Sequence, residues 1–201
     1  MKPYLFPLVT HLSRKEKNSG LAFLAVLIFM YLYSCSSLAV DKRPYAYLVD
    51  RSKYFLLPPT AIEKPVDMAQ YISALYSGQR SYFSAWVLAD ENGIDMSLFN
   101  ELGAAMGELS YREGAASMSS TVFPQSIKPE YIVADFQLCF YDPDLLSKAL
   151  KGCGLVLETE NNHRRVFEGR RLIIEIEKTS GAVKLVNYLR NYSYILEGEF
   201  L

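Results

Sequence analysis

The stretch that decides the fold is residues 81–99, SYFSAWVLADENGIDMSLF. Its first half, Ser81–Ala89, is an apolar segment, and Asp90–Gly93 follows as a turn whose glycine can take a positive φ angle. Ile94–Phe99 then alternates apolar with polar residues, a period of two that buries one face of a strand and exposes the other. The stretch therefore predicts two antiparallel strands joined by a short turn.

Further segments are predicted on both sides of this hairpin. Downstream, Ala105–Tyr111 and Ala115–Phe123 are separated by the turn Arg112–Gly114, so that four strands form a meander. Upstream, Tyr45–Leu57 predicts a strand that ends at two prolines, because prolines cannot donate to a ladder. Val66–Tyr76 predicts a short helix or an irregular crossing.

A helical segment interrupts the strands. Glu130–Phe140 has apolar residues at helical spacing. Asp144–Leu150 predicts a second helix, because Asp142 is placed to cap its N-terminus and Pro143 suits its first turn. Gly152 is suited to end this helix.

The strand pattern returns after the second helix, with a basic turn at Asn161–Arg165. The predicted strands are Leu155–Thr159, Val166–Glu168, Leu172–Lys178, Ala182–Arg190 and Tyr192–Phe200. Strands, two helices and more strands predict a mainly β (α+β) fold. We expect a curved antiparallel sheet or half-open barrel, with the helices covering its concave face.

Composition and charge restrict the classes of function. Half of the 201 residues are hydrophobic, which is enough for one packed β-rich domain, predicted over residues 45–201. The first 34 residues hold four basic side chains and one acidic, so the remainder carries 17 basic and 21 acidic side chains, a net charge of −4. This mildly acidic body argues against a nucleic-acid partner and against electrostatic docking to an anionic membrane.

An apolar leader predicts export from the cytoplasm. The basic group at residues 14–17 (RKEK) precedes the apolar run Leu21–Tyr33, which is the arrangement of a secretory signal peptide. A membrane-spanning helix needs about 20 apolar residues, and the serines after Tyr33 weaken such a span. An uncleaved membrane anchor and a plain signal peptide nevertheless remain alternatives to the lipoprotein described next.

The tetrapeptide Leu32–Cys35 (LYSC) resembles the lipobox of bacterial lipoproteins, which are cut before a cysteine that carries acyl chains. We therefore expect a signal peptide over residues 1–34, lipidation of Cys35 and a lipidated tether over residues 35–44. Several acyl chains on one cysteine would make the membrane a permanent partner. Ser36 in the next position resembles lipoproteins of the outer membrane, so we expect a cell-envelope location, lipid-anchored at the outer membrane and facing the periplasm.

The sequence lacks the motifs of common enzymes: G-x-S-x-G, a phosphate loop and a Rossmann fingerprint are all absent. His163, in NNHRR, is predicted to be a solvated turn residue rather than a catalytic base. Asp142 is explained by helix capping rather than by catalytic pairing with Asp144 or Asp135. We predict no enzyme, no cofactor and no metal site.

Two cysteines remain after Cys35. In an oxidising periplasm Cys139 and Cys153 could form a disulfide, which would contribute about 3 kcal/mol in the chain-entropy model. The alternative is two separate buried thiols, because the sequence does not give their separation.

The densest positive patch consists of Arg164, Arg165, Arg170 and Arg171. We predict that these arginines are solvated at strand ends. Contact with lipid head groups or with an acidic partner is the alternative.

Scattered short motifs resemble an uncharacterised family of bacterial outer-membrane lipoproteins whose members often accompany aryl-polyene lipid biosynthesis clusters. They include Leu57-Pro58-Pro59, the A-D-x-Q-L stretch at Ala134–Leu138, and Leu185–Tyr188. Where that family follows A-D-x-Q-L with Trp-Pro, this chain has Cys139–Pro143. The order of elements also resembles the LolA/LolB-like fold of the Lol lipoprotein carriers, a half-open barrel whose apolar concavity holds acyl chains beneath helices.

Three hypotheses for function follow. The first is a lipid-anchored envelope protein that binds or relays a lipid or lipoprotein, with an acyl chain as its ligand; the aromatic-rich sequence, with 15 Tyr and 11 Phe, is compatible with such a cavity. The second is a packed structural or interaction module on the same anchor, with a protein partner that the sequence does not identify. The third, a hydrolase, would require His163 or Asp135 to lie in a cleft beside a nucleophile.

Overall fold

The predicted hairpin is part of a ten-stranded antiparallel sheet in the computed structural model, which describes residues 42–121 and 127–198. The strands in these ranges are β1 (Tyr45–Val49), β2 (Ser52–Phe55), β3 (Val66–Tyr76), β4 (Gln79–Asp90), β5 (Gly93–Phe99), β6 (Ala105–Arg112), β7 (Ala115–Ser120), β8 (Leu155–Glu160), β9 (His163–Glu168), β10 (Arg171–Lys178), β11 (Ala182–Asn187) and β12 (Tyr192–Glu197). A short 3-10 helix covers Pro59–Ala61, and the α-helices are α1 (Pro129–Phe140) and α2 (Pro143–Lys151).

Two meanders build the sheet, in the order β7-β6-β5-β4-β3-β12-β11-β10-β9-β8. We call β3–β7 the first meander and β8–β12 the second meander. They meet where β12 pairs antiparallel with β3, so that Tyr194 lies opposite Ala74. Strands β1 and β2 form a separate hairpin. The prediction of a mainly β protein with an antiparallel sheet is confirmed, and the sheet is not closed into a barrel.

The helices lie between the two edges of the sheet. Helix α1 contacts β7 and β1, whereas α2 contacts β8 and β2. Ten strands laid flat would span about 43 Å, but α1 and α2 are only about 18 and 14 Å long. Because these consecutive helices reach both edge strands, the sheet curves around them and they cover its concave face.

Val66–Tyr76 is a strand, so the prediction of a short helix or irregular crossing is wrong. Its inner face carries Val66, Met68, Gln70 and Ile72, which oppose inner-face residues of β4. The polar Gln70 on this buried face and the exposed Tyr71 beside it obscured the period of two. Strand β3 pairs with β4 on one side and β12 on the other, and this pairing outweighs local preference.

Two turns differ from their predictions. Tyr45–Leu57 contains two strands, because Arg51 turns the chain with a φ of 67° although no glycine or asparagine marks the position. Gly93 has no positive φ; a Cβ there would lie 2.7 Å from Cγ of Arg112, so glycine is required for close approach between strands.

The basic turn predicted at Asn161–Arg165 is shorter than expected. Asn161, with a φ of 50°, and Asn162 complete the turn, and β9 already begins at His163. The arginines at positions 164 and 165 are therefore strand residues, whose side chains alternate between the two faces of the sheet.

Both helices begin and end close to the predicted residues. Asp142 caps α2, since its Oδ1 accepts hydrogen bonds from the N–H groups of Asp144 (3.0 Å) and Leu145 (2.9 Å). Pro143 occupies the first turn and Gly152 the C-terminal cap. The predicted strand ends at 122–123 and 199–200 lie outside the described residues.

Candidate functional site

The inner face of the second meander is buried. Its apolar side chains belong to one core cluster with the helices, and several have almost no exposed surface. These are Val166, Ile174, Ile176, Val183 and Leu185. The outer strands of this meander are less completely covered, since Leu157 of β8 and Tyr192 and Tyr194 of β12 are only partly buried.

The first meander also carries apolar side chains that are only partly buried. We call this group the rim: Ile72 of β3, Phe83 of β4, Met106 of β6 and Met118 of β7, all partly buried against the core. Phe83 lies directly opposite Ile72 on the inner face. Contiguous exposed apolar surface beside a core is typical of a surface that a ligand or partner covers.

A cleft of about 530 Å³ lies along β5, β6 and β7 of the first meander. Its wall includes Leu98 of β5, Met106 and Gly107 of β6, and Ser120 of β7. A Cβ on Gly107 would lie 2.5 Å from the carbonyl oxygen of Ser119, so glycine is required where β6 and β7 approach. The volume falls in the range of ligand pockets, roughly 300–1,000 Å³.

Gln70 lies next to Ile72 of the rim and in the same row of the sheet as part of the cleft wall. It occupies the inner face of β3, two residues before Ile72, and only 3% of its surface is exposed. One row of directly paired residues runs from Gln70 through Ala85, Leu98 and Gly107 to Ser120. The Nε2 group of Gln70 is buried and has no hydrogen-bond partner within the described part of the chain.

The A-D-x-Q-L stretch forms a hydrogen-bonded junction between α1 and the chain that follows β2. Gln137 accepts hydrogen bonds at Oε1 from the Tyr54 hydroxyl (2.9 Å) and the N–H of Leu57 (3.0 Å). Its Nε2 donates to the carbonyl oxygen of Leu57 (2.8 Å), which also accepts from the Tyr111 hydroxyl (3.0 Å). The motif residue Gln137 and the residue before the two prolines are thus direct partners, 80 residues apart in sequence.

Asp135 of the same stretch faces the seam between the meanders. Its Oδ2 accepts a hydrogen bond from the Tyr192 hydroxyl (2.7 Å), and the Asn187 amide donates to that hydroxyl (3.2 Å). Burial raises the pKa of Asp135 to about 7, although the Tyr192 hydrogen bond and the Arg190 charge both lower it. The carboxylate therefore has a structural partner.

The two cysteines are free thiols in different surroundings. Cys139 is buried in α1, its Sγ 4.0 Å from the hydroxyl of Tyr194, and burial raises the pKa of this thiol to about 12. Cys153, after α2, donates to the carbonyl oxygens of Lys53 (3.1 Å) and Ala149 (3.4 Å). The structure thus has the arrangement of two separate thiols, of which Cys139 is buried and Cys153 is half-buried.

Arg164 corrects the prediction that the arginine cluster is solvated, because its side chain is only 5% exposed. Nη1 donates to the carbonyl oxygens of Leu138 (3.0 Å) and Tyr141 (2.8 Å), at the end of α1. Nη2 forms an ion pair with Glu63 at 2.9 Å. Sequence alternation contained the signal, since Arg164 and the apolar Val166 must share one face of β9.

The other arginines lie nearer the surface. Arg165 pairs with Glu175 at 3.0 Å, Arg171 pairs with Glu168, and Arg170 is exposed. The prediction of solvated arginines at strand ends therefore holds for Arg170 and Arg171, whereas Arg165 is a half-buried residue within β9.

His163 is a half-buried residue of β9 rather than a solvated turn residue, and its Nδ1 has no hydrogen-bond partner among the described residues. It lies three strands from Tyr192, the partner of Asp135, which corresponds to about 14 Å across the sheet. The structure therefore does not place the two hydrolase candidates beside each other.

The remaining predicted features concern metal binding, membrane spanning and the N-terminal segment. Within residues 42–121 and 127–198, no group of three His, Cys, Asp or Glu side chains is arranged to hold a metal ion. Neither helix of those ranges is long and apolar enough to cross a membrane. Cys35, the predicted signal peptide over 1–34 and most of the tether lie outside the described residues.

The site and fold define a class: a mainly β protein with an open antiparallel sheet and two covering helices. Residues 67–197 match the model of a family described as a protein of unknown function (DUF3261). The match covers more than half of the chain, so the chain belongs to this family. It extends from the start of β3 to the end of β12, which includes both meanders, both helices and Gln70. No curated protein matches the chain.

Proposed function

We propose that this protein is a lipid-anchored component of the cell envelope that binds or relays a lipid or lipoprotein by its acyl chains at the outer membrane. The observation that carries the proposal is the rim: four apolar side chains of the first meander remain partly exposed, and one of them, Met106, also lines the cleft. The finer fold that we propose is the half-open barrel of the LolA/LolB-like carriers.

Acyl-chain binding requires no reacting group. Burial of apolar surface contributes about 25 cal/mol per Å², or about 0.8 kcal/mol for each CH₂ group. Several methylene groups placed over Ile72 and Phe83 would therefore add up to useful affinity, with orientation left to a few polar groups. The flexible thioethers of Met106 and Met118 suit a chain of variable shape.

Lipid binding can be tested by mass spectrometry of lipids that co-purify with residues 41–201. We expect acyl lipids with the wild-type domain and their loss from Phe83→Ser. The matched control is Tyr82→Ser, because Tyr82 is the neighbouring aromatic residue on the outer face of β4. Equal lipid content in both variants, or no lipid with the wild type under any condition, would contradict the proposal.

Anchorage is a separate part of the proposal. Metabolic labelling with a palmitate analogue should label the wild-type chain, and Cys35→Ala should lose the label and accumulate a larger, unprocessed product. Cys153→Ala is the matched control and should keep both label and processing. Label that survives Cys35→Ala would exclude lipidation at this residue.

A second candidate function, a protein-interaction module, is favoured by the outer face of β3 and β4. Tyr71, Leu75, Tyr82, Trp86 and Leu88 are all exposed there, Trp86 by 51%. The rings of Tyr71 and Tyr82 are stacked, with centroids 6.2 Å apart. Exposed Tyr and Trp are typical anchors of protein interfaces. A photo-crosslinking residue at position 86 should capture one defined protein in cells if this candidate is correct, whereas the same residue at exposed position 158 should not.

A further inference from the structure

Gln70 is the one inner-face side chain of the first meander that combines nearly complete burial with an unpaired amide nitrogen. Buried donors are almost always paired in proteins, because loss of hydration without a replacement bond is unfavourable. Leucine or methionine would fill a similar volume without a polar group to satisfy. The unpaired Nε2 thus indicates a hydrogen bond to a group that enters from outside the chain.

The neighbours of Gln70 show where that group would lie. Ile72 and Phe83 of the rim are the next inner-face pair along β3 and β4. Ala85 lies directly opposite Gln70 on β4 and is itself buried. Leu98, which belongs to the wall of the cleft, is two strands from Gln70, about 10 Å across the sheet.

The chemistry of the ligand follows from the donor. An amide N–H₂ group donates to carbonyl and carboxylate oxygens, and the surrounding rim is apolar. A molecule with an apolar chain and an acceptor oxygen at its end fulfils both conditions, and an acyl group is such a molecule.

We infer that Gln70 is the polar anchor of the lipid site, where its Nε2 donates a hydrogen bond to the acyl carbonyl oxygen of the ligand while the chain lies against the rim. This inference rests on the proposed lipid-binding function and specifies its ligand. The acyl carbonyl belongs either to a free fatty acid or to an ester of a lipid or lipoprotein, and the experiment below separates the two.

The test uses the full chain in lipid nanodiscs and three photoreactive probes with the same 16-carbon chain: the fatty acid, its methyl ester and the alkane. Intact-mass spectrometry measures the covalent adducts. We expect the wild type to prefer at least one carbonyl-bearing probe over the alkane. Stronger labelling by the ester than by the acid would identify esterified acyl groups as ligands, and stronger labelling by the acid would identify free fatty acids.

Gln70→Leu should lower labelling by the carbonyl-bearing probes about fivefold, the effect of one lost hydrogen bond, and leave alkane labelling unchanged. Gln70→Met, which keeps the length of the side chain, is the second variant in case the first fails to fold. The matched control is Gln79→Leu, because Gln79 is an exposed glutamine at the start of β4. Alkane labelling reports that each variant retains the folded site.

Two results would overturn the inference in different ways. If Gln70→Leu and Gln70→Met keep the carbonyl preference of the wild type, Gln70 is not the anchor, and the proposed lipid-binding function stands. If none of the probes labels the wild type, the proposed function itself is wrong, and the anchor with it.

Discussion

The two meanders have the same alternation of apolar and polar residues, but they bury their inner-face side chains to different extents. In the second meander the inner-face residues of the central strands β10 and β11 form a solid core, and Ile174 and Leu185 have no exposed surface. In the first meander the same alternation continues to Ile72 and Phe83, but these side chains keep part of their surface exposed. A seamless core would bury both halves equally. Under the proposed function, the exposed part of Ile72 and Phe83 is the surface that binds the ligand.

The sharpest way to break this comparison is to truncate one isoleucine in each meander. Ile174→Ala removes fully buried methyl groups and should lower the free energy of unfolding by about 4 kcal/mol. Ile72→Ala should cost only about 1 kcal/mol, because its side chain already contacts solvent. Urea unfolding measures both values. Equal losses would show that the first meander is as tightly packed as the second.

Substitution of Arg164 tests how much its buried hydrogen bonds stabilise the second meander. Arg164→Met leaves the carbonyl oxygens of Leu138 and Tyr141 without their charged donor and should lower the free energy of unfolding by about 3 kcal/mol. Arg165→Met, one residue further on the outer face, breaks a partly exposed pair with Glu175 and should cost no more than about 1 kcal/mol. A small loss of unfolding free energy in Arg164→Met would mean that water hydrogen-bonds to the two carbonyl oxygens. The second meander would then be more accessible to water than the burial of Arg164 indicates.

Alternation and turn chemistry were sufficient to predict much of the fold. The β4–β5 hairpin and the start of α2 depend on local signals, a period of two and an aspartate followed by proline, and both were found. The failures have a common cause. Val66–Tyr76 is a strand because two neighbours complete its ladder, and Arg164 is buried because its face of β9 meets the end of α1. Such partners lie far away in the sequence.

The candidate site was less predictable than the fold. The A-D-x-Q-L stretch could be recognised as a motif, but the bond between Gln137 and Leu57 joins residues 80 positions apart. Nothing in the alternation distinguishes a rim residue such as Ile72 from a core residue such as Ile176. Gln70 had a detectable signal, since it is a polar residue in phase with Val66 and Met68. The signal can be read only after Val66–Tyr76 has been recognised as a strand.

Gly107 tests the first meander at its cleft. Gly107→Ala places a Cβ against the carbonyl oxygen of Ser119 and should lower the free energy of unfolding by about 2 kcal/mol through overpacking. It should also displace β7 and change the binding of an acyl probe. Gly181→Ala is the matched control, because a Cβ there meets no atom within 4 Å. Thermal unfolding and probe labelling check the two effects. An unchanged stability would show that β7 can move away from β6 without cost and that the wall of the cleft is not rigidly packed.

The smallest predicted effect concerns the seam where the meanders meet. Asp135 has a pKa of about 7 in the folded protein, raised chiefly by burial, against about 4 in the unfolded chain. Between these values the folded state holds a proton that the unfolded state has released, so stability falls as the pH rises from about 4 to about 7. Asp135→Asn removes this dependence. We expect the variant to gain on the order of 1 kcal/mol over the wild type between pH 6 and pH 8, in urea unfolding at both pH values. Asp144→Asn, at an exposed position of α2, should leave the pH dependence unchanged. If Asp135→Asn instead keeps the slope of the wild type, the carboxylate is ionised throughout, and the seam between the meanders is wetter than the burial of its neighbours indicates.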